Sequence, residues 1–281
     1  MNELNLKKSL WVVTTLFLWV LQAQGQQLDY ALKSNIAYRD DSTDPYEKER
    51  CVLDVYYPEN EDFATVIWFH GGGLTSGEKF IPEALKNKGV AIVAVNYRLS
   101  PKVKSPTYVD DAAAAVAWVF KNIASYGGNP KLIFISGHSA GGYLASMIGL
   151  DKSYLNKYGI NADDIAGLIP YSGHAITHFT IRNEQGLNWD DVRVDDMAPL
   201  MHIRKEAPPI ILISGDRNLE LYGRYEETAY FWRMLKSVGH PWVELYELDG
   251  FDHGHMVAPA HYILLNSMHT ISEKIRINSD K

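Results

Sequence analysis

Short apolar runs recur along the chain: Val66–Phe69, Val90–Val95, Leu132–Ser136, Ile165–Ile169, Ile210–Ser214 and Trp242–Leu248. Most are continuous rather than alternating, the pattern of strands covered on both faces of a parallel sheet. Upstream, Cys51–Tyr57 alternates more and ends at Pro58, which predicts an edge or antiparallel strand leading in. Between the runs the spacing turns helical. Asp110 or Asp111 is placed to cap a helix through about Ile123, with Val116, Val119, Phe120 and Ile123 on one face. A second helix is expected from about Tyr225 to Val238, where Phe231, Leu235 and Val238 share a face and Gly239 follows as a stop. A last one covers roughly His261 to Ile275. Strands alternating with helices of this length predict an α/β fold: a mostly parallel, doubly wound sheet flanked by helices. Ligands of such sheets sit at the carboxyl ends of the strands, so chemistry is expected just after the apolar runs.

One stretch, His174 to Arg204, has no clear period and carries His, Asn, Asp and Trp. It reads as an insertion between two strands, either a small cap over the site or a surface loop without a substrate role. Ahead of the first strand, Lys7 and Lys8 precede an apolar run from Leu10 to Leu21, and Ala23-Gln24-Gly25 has small residues where a signal peptidase reads. A run of about twelve residues is short of the roughly twenty that span a bilayer. Residues 1–25 are therefore expected to be a cleaved signal peptide and 26–281 a single catalytic domain. The expected destination is secreted or periplasmic, with no stable membrane insertion after cleavage.

Composition narrows the classes. Of 281 residues, 46% are hydrophobic and 22% charged, an ordinary globular balance. The formal net charge of −7 offers no basic face for nucleic acid. A single cysteine, Cys51, excludes an internal disulfide and a paired-cysteine zinc site, and is expected in or beside a strand.

The chemistry sits where the pattern predicts. Gly137-His138-Ser139-Ala140-Gly141 follows the strand LIFIS and precedes a helical pattern at Leu144, Met147 and Ile148. Strand, G-x-S-x-G and helix in that order make a nucleophile elbow. The sharp turn needs small neighbours two positions either side of Ser139, and the helix N-terminus behind it favours negative charge. His70-Gly71-Gly72-Gly73 follows the strand VIWF; consecutive glycines let backbone N–H groups approach a developing oxyanion. A remaining donor is expected from the N–H of Ala140. His70 is expected to hold this loop rather than act as a base. No Lys-Ser/Thr pair follows the glycines, so the phosphate-loop pattern fails.

A serine hydroxyl needs a base, and the base an acid to orient it. Asp216, directly at the end of PPIILISG, is the expected acid; Glu220 competes but lies beyond the strand end. The strand WVELYEL leads into Asp249-Gly250-Phe251-Asp252-His253-Gly254-His255, where His253 is the expected base and His255 its alternative. Zinc binding by that pair lacks a third ligand at metal spacing.

HGGG, NYRLSP (Asn96–Pro101), GHSAGG, GDRN and the late His-Gly form an ordered set over most of the chain from Val52 onward. The set resembles α/β-hydrolase carboxylesterases of the hormone-sensitive-lipase-like group, nearest the bacterial feruloyl and acetyl esterase and arylformamidase-like subgroup. The resemblance implies the α/β-hydrolase fold with an eight-stranded sheet and a mechanism without cofactor or metal. By position it makes Ser139 the nucleophile, Asp216 the acid and His253 the base, with oxyanion N–H groups from Gly72, Gly73 and Ala140. The segment from Gly25 to Cys51 is short for the cap helices of lipase-like members, which favours a short acyl group. The expected activity is that of a serine carboxylesterase on short-acyl esters of a small molecule or carbohydrate, such as acetyl or feruloyl groups on plant polysaccharides. A serine amidase or peptidase using the same triad is the rival enzyme. From another class, the rival is a non-catalytic hydrolase-like binding protein, which would usually lack a triad member.

Overall fold

The structure, a computed structural model, describes residues 28–39 and 41–279. The expected signal peptide lies outside the described residues. Eight strands form one sheet in the order β1-β2-β4-β3-β5-β6-β7-β8. They are β1 (Tyr30–Ala37), β2 (Val52–Pro58), β3 (Phe63–Phe69), β4 (Ala91–Val95), β5 (Gly128–His138), β6 (Gly167–Tyr171), β7 (Ile210–Gly215) and β8 (Val243–Leu248). Only the β1–β2 and β2–β4 pairs are antiparallel. From β4 onward every pair is parallel, as the continuous apolar runs predict. Every residue of β3, β4, β6 and β7 is buried, because helices cover both faces.

The helices are α1 (Pro45–Arg50), α2 (Thr107–Asn122), α3 (Ala140–Leu150), α4 (Lys152–Asn156), α5 (Phe179–Glu184), α6 (Arg224–Ser237) and α7 (Val257–Ser279). Strand β1 and helix α1 escape the sequence pattern. Four successive residues of β1 are exposed, so this edge strand carries no apolar run to read. Cys51 closes α1 just ahead of β2, where burial pushes its thiol up to about 12, far from a reactive thiolate.

Helix α2 corrects one expectation. It starts at Thr107, so neither Asp110 nor Asp111 caps it. Asp111 faces inward instead and is wholly buried. Its carboxylate receives Arg98 Nε at 2.8 Å and Nη2 at 2.7 Å, with Arg39 Nε at 3.1 Å. The run Ala112–Ala115 and Ala117 lets the helix lie close on the sheet. The Asp111 cluster thereby ties the Asn96–Pro101 loop and the strap after β1 to the body that carries the site.

Candidate active site

Strand pairing sets the site's floor. Phe69 pairs with Gly137, His138 with Tyr171, and Gly215 with Leu248, so the carboxyl ends of β3, β5, β6, β7 and β8 lie side by side. All the expected site residues follow these ends.

Ser139 stands between β5 and α3 with φ 57° and ψ −115°, a left-handed conformation that costs a non-glycine residue about 1–3 kcal/mol. Its N–H donates to the Tyr171 carbonyl at 2.8 Å, and its own carbonyl starts α3 by accepting from Tyr143 N at 3.0 Å. The glycines either side are sterically required. A Cβ on Gly141 would overlap the Phe69 carbonyl oxygen, and one on Gly137 would lie 2.6 Å from Gly141 C. The HGGG loop runs alongside: a Cβ on Gly71 would lie 3.5 Å from the Ser139 Cβ. Gly72 and Gly73 have positive φ, and the N–H groups of Gly72, Gly73 and Ala140 meet no protein acceptor among the described residues. The Ala140 N–H thus adjoins the serine at a helix N-terminus, and the two glycine donors belong to the loop whose Gly71 lies against it.

His70 holds this loop from below. Its ring stacks on Tyr97 at 4.4 Å, Tyr97 Oη donates to its carbonyl at 2.8 Å, and Arg50 approaches its Nε2 at 3.5 Å. Burial, with the Arg50 charge adding, lowers the imidazole to about 4, so it stays neutral.

The acid is where expectation and geometry part. His253 Nδ1 lies 2.5 Å from Glu220 Oε1, not on Asp216. Asp216 instead builds turns. Its Oδ2 accepts Gly250 N at 2.8 Å, its Oδ1 accepts Asn218 N at 2.8 Å, and its carbonyl accepts Glu220 N at 2.8 Å. Those backbone N–H groups, Gly250 first, hold its carboxyl below the usual range. The turn begun by Asp216 carries Glu220 back over the strand end, where Glu220 Oε2 accepts Gly215 N at 3.2 Å and Ser172 Oγ at 2.7 Å. The Glu220 side chain is 1% exposed. Burial alone would raise its pKa; hydrogen bonds from His253 and Ser172 outweigh that and bring it to about 2.

His253 is fixed from three sides. Besides Glu220, Ser172 Oγ lies 3.2 Å from its Nδ1. Its carbonyl accepts from His138 Nε2 at 2.8 Å, and the two rings lie 4.5 Å apart. With Nδ1 spent on Glu220, Nε2 is the nitrogen left to meet a substrate or hydroxyl. His255 is 82% exposed and pairs with Asp252, so it is not brought to this cluster. His138 and Ser172 are the residues that sequence reading misses. His138 is the variable position of G-x-S-x-G, and Ser172 follows β6 with no motif around it. His138 is lowered to about 4, by burial first and then by the neighbouring His253, so it sits as a neutral donor to the base's own backbone.

The 174–204 stretch packs against these loops. Thr180 Oγ1 donates to the Gly73 carbonyl at 2.5 Å, and Glu184 accepts Ser100 Oγ at 2.7 Å and Ser105 N at 2.9 Å. Among the described residues no group of three or more His, Cys, Asp or Glu is placed to hold a metal ion.

The strand order, parallel sheet and flanking helices are those of the α/β-hydrolase fold. Residues 53–166 match the BD-FAE family model, and the resemblance to hormone-sensitive-lipase-like carboxylesterases holds. Lipase 2 of Moraxella sp. is 37% identical over 95 residues, which cover 32% of this chain and 22% of that one. Esterase LipC of Mycobacterium tuberculosis is 24% identical over 211 residues, covering 66% of this chain and 50% of that one. The chain spans half or less of the length of these curated relatives. Among solved structures, a truncated carbohydrate esterase from gut microbiota superimposes with a TM-score of 0.73 at 18% identity, over 89% of this chain and 98% of that one. At that identity the likeness is one of fold.

Proposed function

We propose that the protein is a serine carboxylesterase acting on short-acyl esters through an acyl-enzyme, with Ser139 as nucleophile, His253 as base and Glu220 as the orienting acid. The observation that carries the reading is the tether: Glu220 holds His253 Nδ1, and His253 rests on His138, the residue just before the strained Ser139. His253 Nε2 takes the Ser139 proton as Oγ attacks the ester carbonyl. The N–H groups of Gly72, Gly73 and Ala140 receive the oxyanion. The C–O bond then breaks, and His253 returns the proton to the departing alcohol. Water, deprotonated by the same nitrogen, attacks the acyl-enzyme and releases the acid.

The esterase, lipase and carboxylesterase names of the relatives support the reaction class. An acetyl or feruloyl group on a plant polysaccharide is the substrate we propose, supported by the sequence resemblance and by the carbohydrate esterase of the same fold. The charged and apolar pattern of residues 1–25 supports action outside the cytoplasm, secreted or periplasmic. Hydrolysis of p-nitrophenyl acetate tests the reading. Ser139→Ala is expected to lower kcat by about 10⁴-fold or more with the fold intact; near-normal turnover would refute the nucleophile.

A further inference from the structure

A cavity of about 710 Å³ adjoins the residues that hold the site, although Ser139, Glu220 and His253 do not themselves line it. Its walls grow out of the residues that hold the site. Leu221 follows Glu220. His174 lies two residues after Ser172, and Arg224 donates Nη1 to the Ser172 carbonyl. Phe179 approaches the oxyanion loop, where a Cβ on Gly73 would meet its Cζ at 3.0 Å. The volume falls within the range of roughly 300–1,000 Å³ that engulfs a ligand of one or two rings, far more than an acetyl group fills.

Its lining has two components. Trp189, Tyr222 and Tyr230 present large aromatic surfaces that are 60%, 91% and 55% exposed. Against them stand charges of both signs: Arg182 and Arg224, and Asp190, Glu226 and Glu227. Arg182 is 4% exposed and spends Nη1 on the Asp191 carbonyl. Its Nε is buried without a partner, and among the described residues its Nη2 meets no protein acceptor. An anionic ligand would face three carboxylates. A purely alkyl ligand would cover a guanidinium without replacing its hydrogen bonds, which is costly. A neutral ring with apolar C–H faces and several hydroxyls satisfies both components, stacking on the aromatics and bridging cationic donors and carboxylate acceptors.

We propose that this cavity is a subsite for the alcohol half of the ester, and that the alcohol is a sugar ring stacked on Trp189 and Tyr222 with its hydroxyls on Arg182, Asp190 and Glu226. The inference rests on the esterase reading above. It makes the small acyl group, and not a hydroxycinnamoyl group, the part that Ser139 carries. The position fits the mechanism, because His253 must hand its proton to the departing alcohol and the cavity opens beside the residues that orient His253.

The test compares kcat/KM on ethyl acetate, phenyl acetate, methyl ferulate and an acetylated methyl xyloside, for the wild type, Trp189→Ala and Tyr222→Ala. Both side chains are exposed, so each variant is expected to fold, which circular dichroism checks. The xyloside-to-ethyl-acetate ratio is expected to favour the sugar in the wild type and to fall about tenfold in either variant, the loss of one stacking contact. An unchanged ratio overturns the subsite. So does an equal fall for phenyl acetate, which marks an aryl site, or a fall confined to methyl ferulate, which puts the acyl group in the cavity. Failure of the wild type on ethyl acetate and all the other esters would instead overturn the esterase reading itself.

Discussion

Glu220 Oε1 lies 2.5 Å from His253 Nδ1, and the same carboxylate also takes hydrogen bonds from Ser172 Oγ and Gly215 N. Asp216, four residues earlier, anchors Gly250 N and Asn218 N and so fixes the two turns that bring Glu220 and His253 together. The two acids are therefore expected to fail differently. Glu220→Gln should lower kcat on p-nitrophenyl acetate by about 10³–10⁴-fold per folded molecule, because the wrong His253 tautomer is held. Asp216→Asn should keep most of the turnover of folded enzyme and lower the midpoint instead. Steady-state kinetics beside urea unfolding separates them; the opposite ranking would restore Asp216 as the orienting acid.

His138 is expected to be a positioning residue. Its Nε2 donates to the His253 carbonyl and its ring backs the His253 ring. His138→Phe keeps the packing and removes the donor, so kcat should fall about tenfold, near 1.4 kcal/mol, with KM little changed. His138→Gln, which can still donate, should recover much of it. A loss in KM alone, or no rescue by Gln, would count against positioning.

Acid should weaken the fold before it protonates the carboxylates. His70, His138 and His261 are each held near 4, chiefly by burial, against 6.5 in an exposed imidazole. Between those values the unfolded chain binds protons that the folded one refuses. Stability is therefore full above pH 6.5 and declines as pH falls toward 4, by up to ~1.4 kcal/mol per pH unit for each group. Glu220 is shifted in the same direction, from 4.5 to about 2, and adds a second loss as pH falls through that lower window. Urea midpoints should drop steadily from pH 7 to pH 5; a flat profile would contradict neutral burial of the imidazoles.

Asp111 is expected to matter for stability and not for chemistry. Fully buried between Arg98 and Arg39, it cannot be neutralised without taking the buried carboxylate from both cations and leaving Arg98 paired mainly with Glu47. Asp111→Ala should cost about 3–5 kcal/mol in urea unfolding, while the turnover per folded molecule stays within about twofold.

What the sequence reveals follows from which forces act locally. Continuous apolar runs mark β3 to β8 because both faces of each strand are covered, and Gly137 and Gly141 are readable because backbone overlap forbids a side chain there. Strand β1 is invisible because its pairing is backbone hydrogen bonding along an exposed edge. The orienting acid is misread for a related reason. Position at the strand end favours Asp216, but a short Asp side chain there is drawn to nearby backbone N–H groups, and only the folded turn brings the longer Glu220 back to His253. His138 and Ser172 carry no spacing signal, since their contacts join loops remote in sequence.

Labelling with a fluorophosphonate probe followed by peptide mass spectrometry addresses the activated serine most directly. The expected result is one adduct per chain, on Ser139, absent in Ser139→Ala and greatly slowed in His253→Ala and Glu220→Gln. An unlabelled native protein, or an adduct on another residue, would contradict the account.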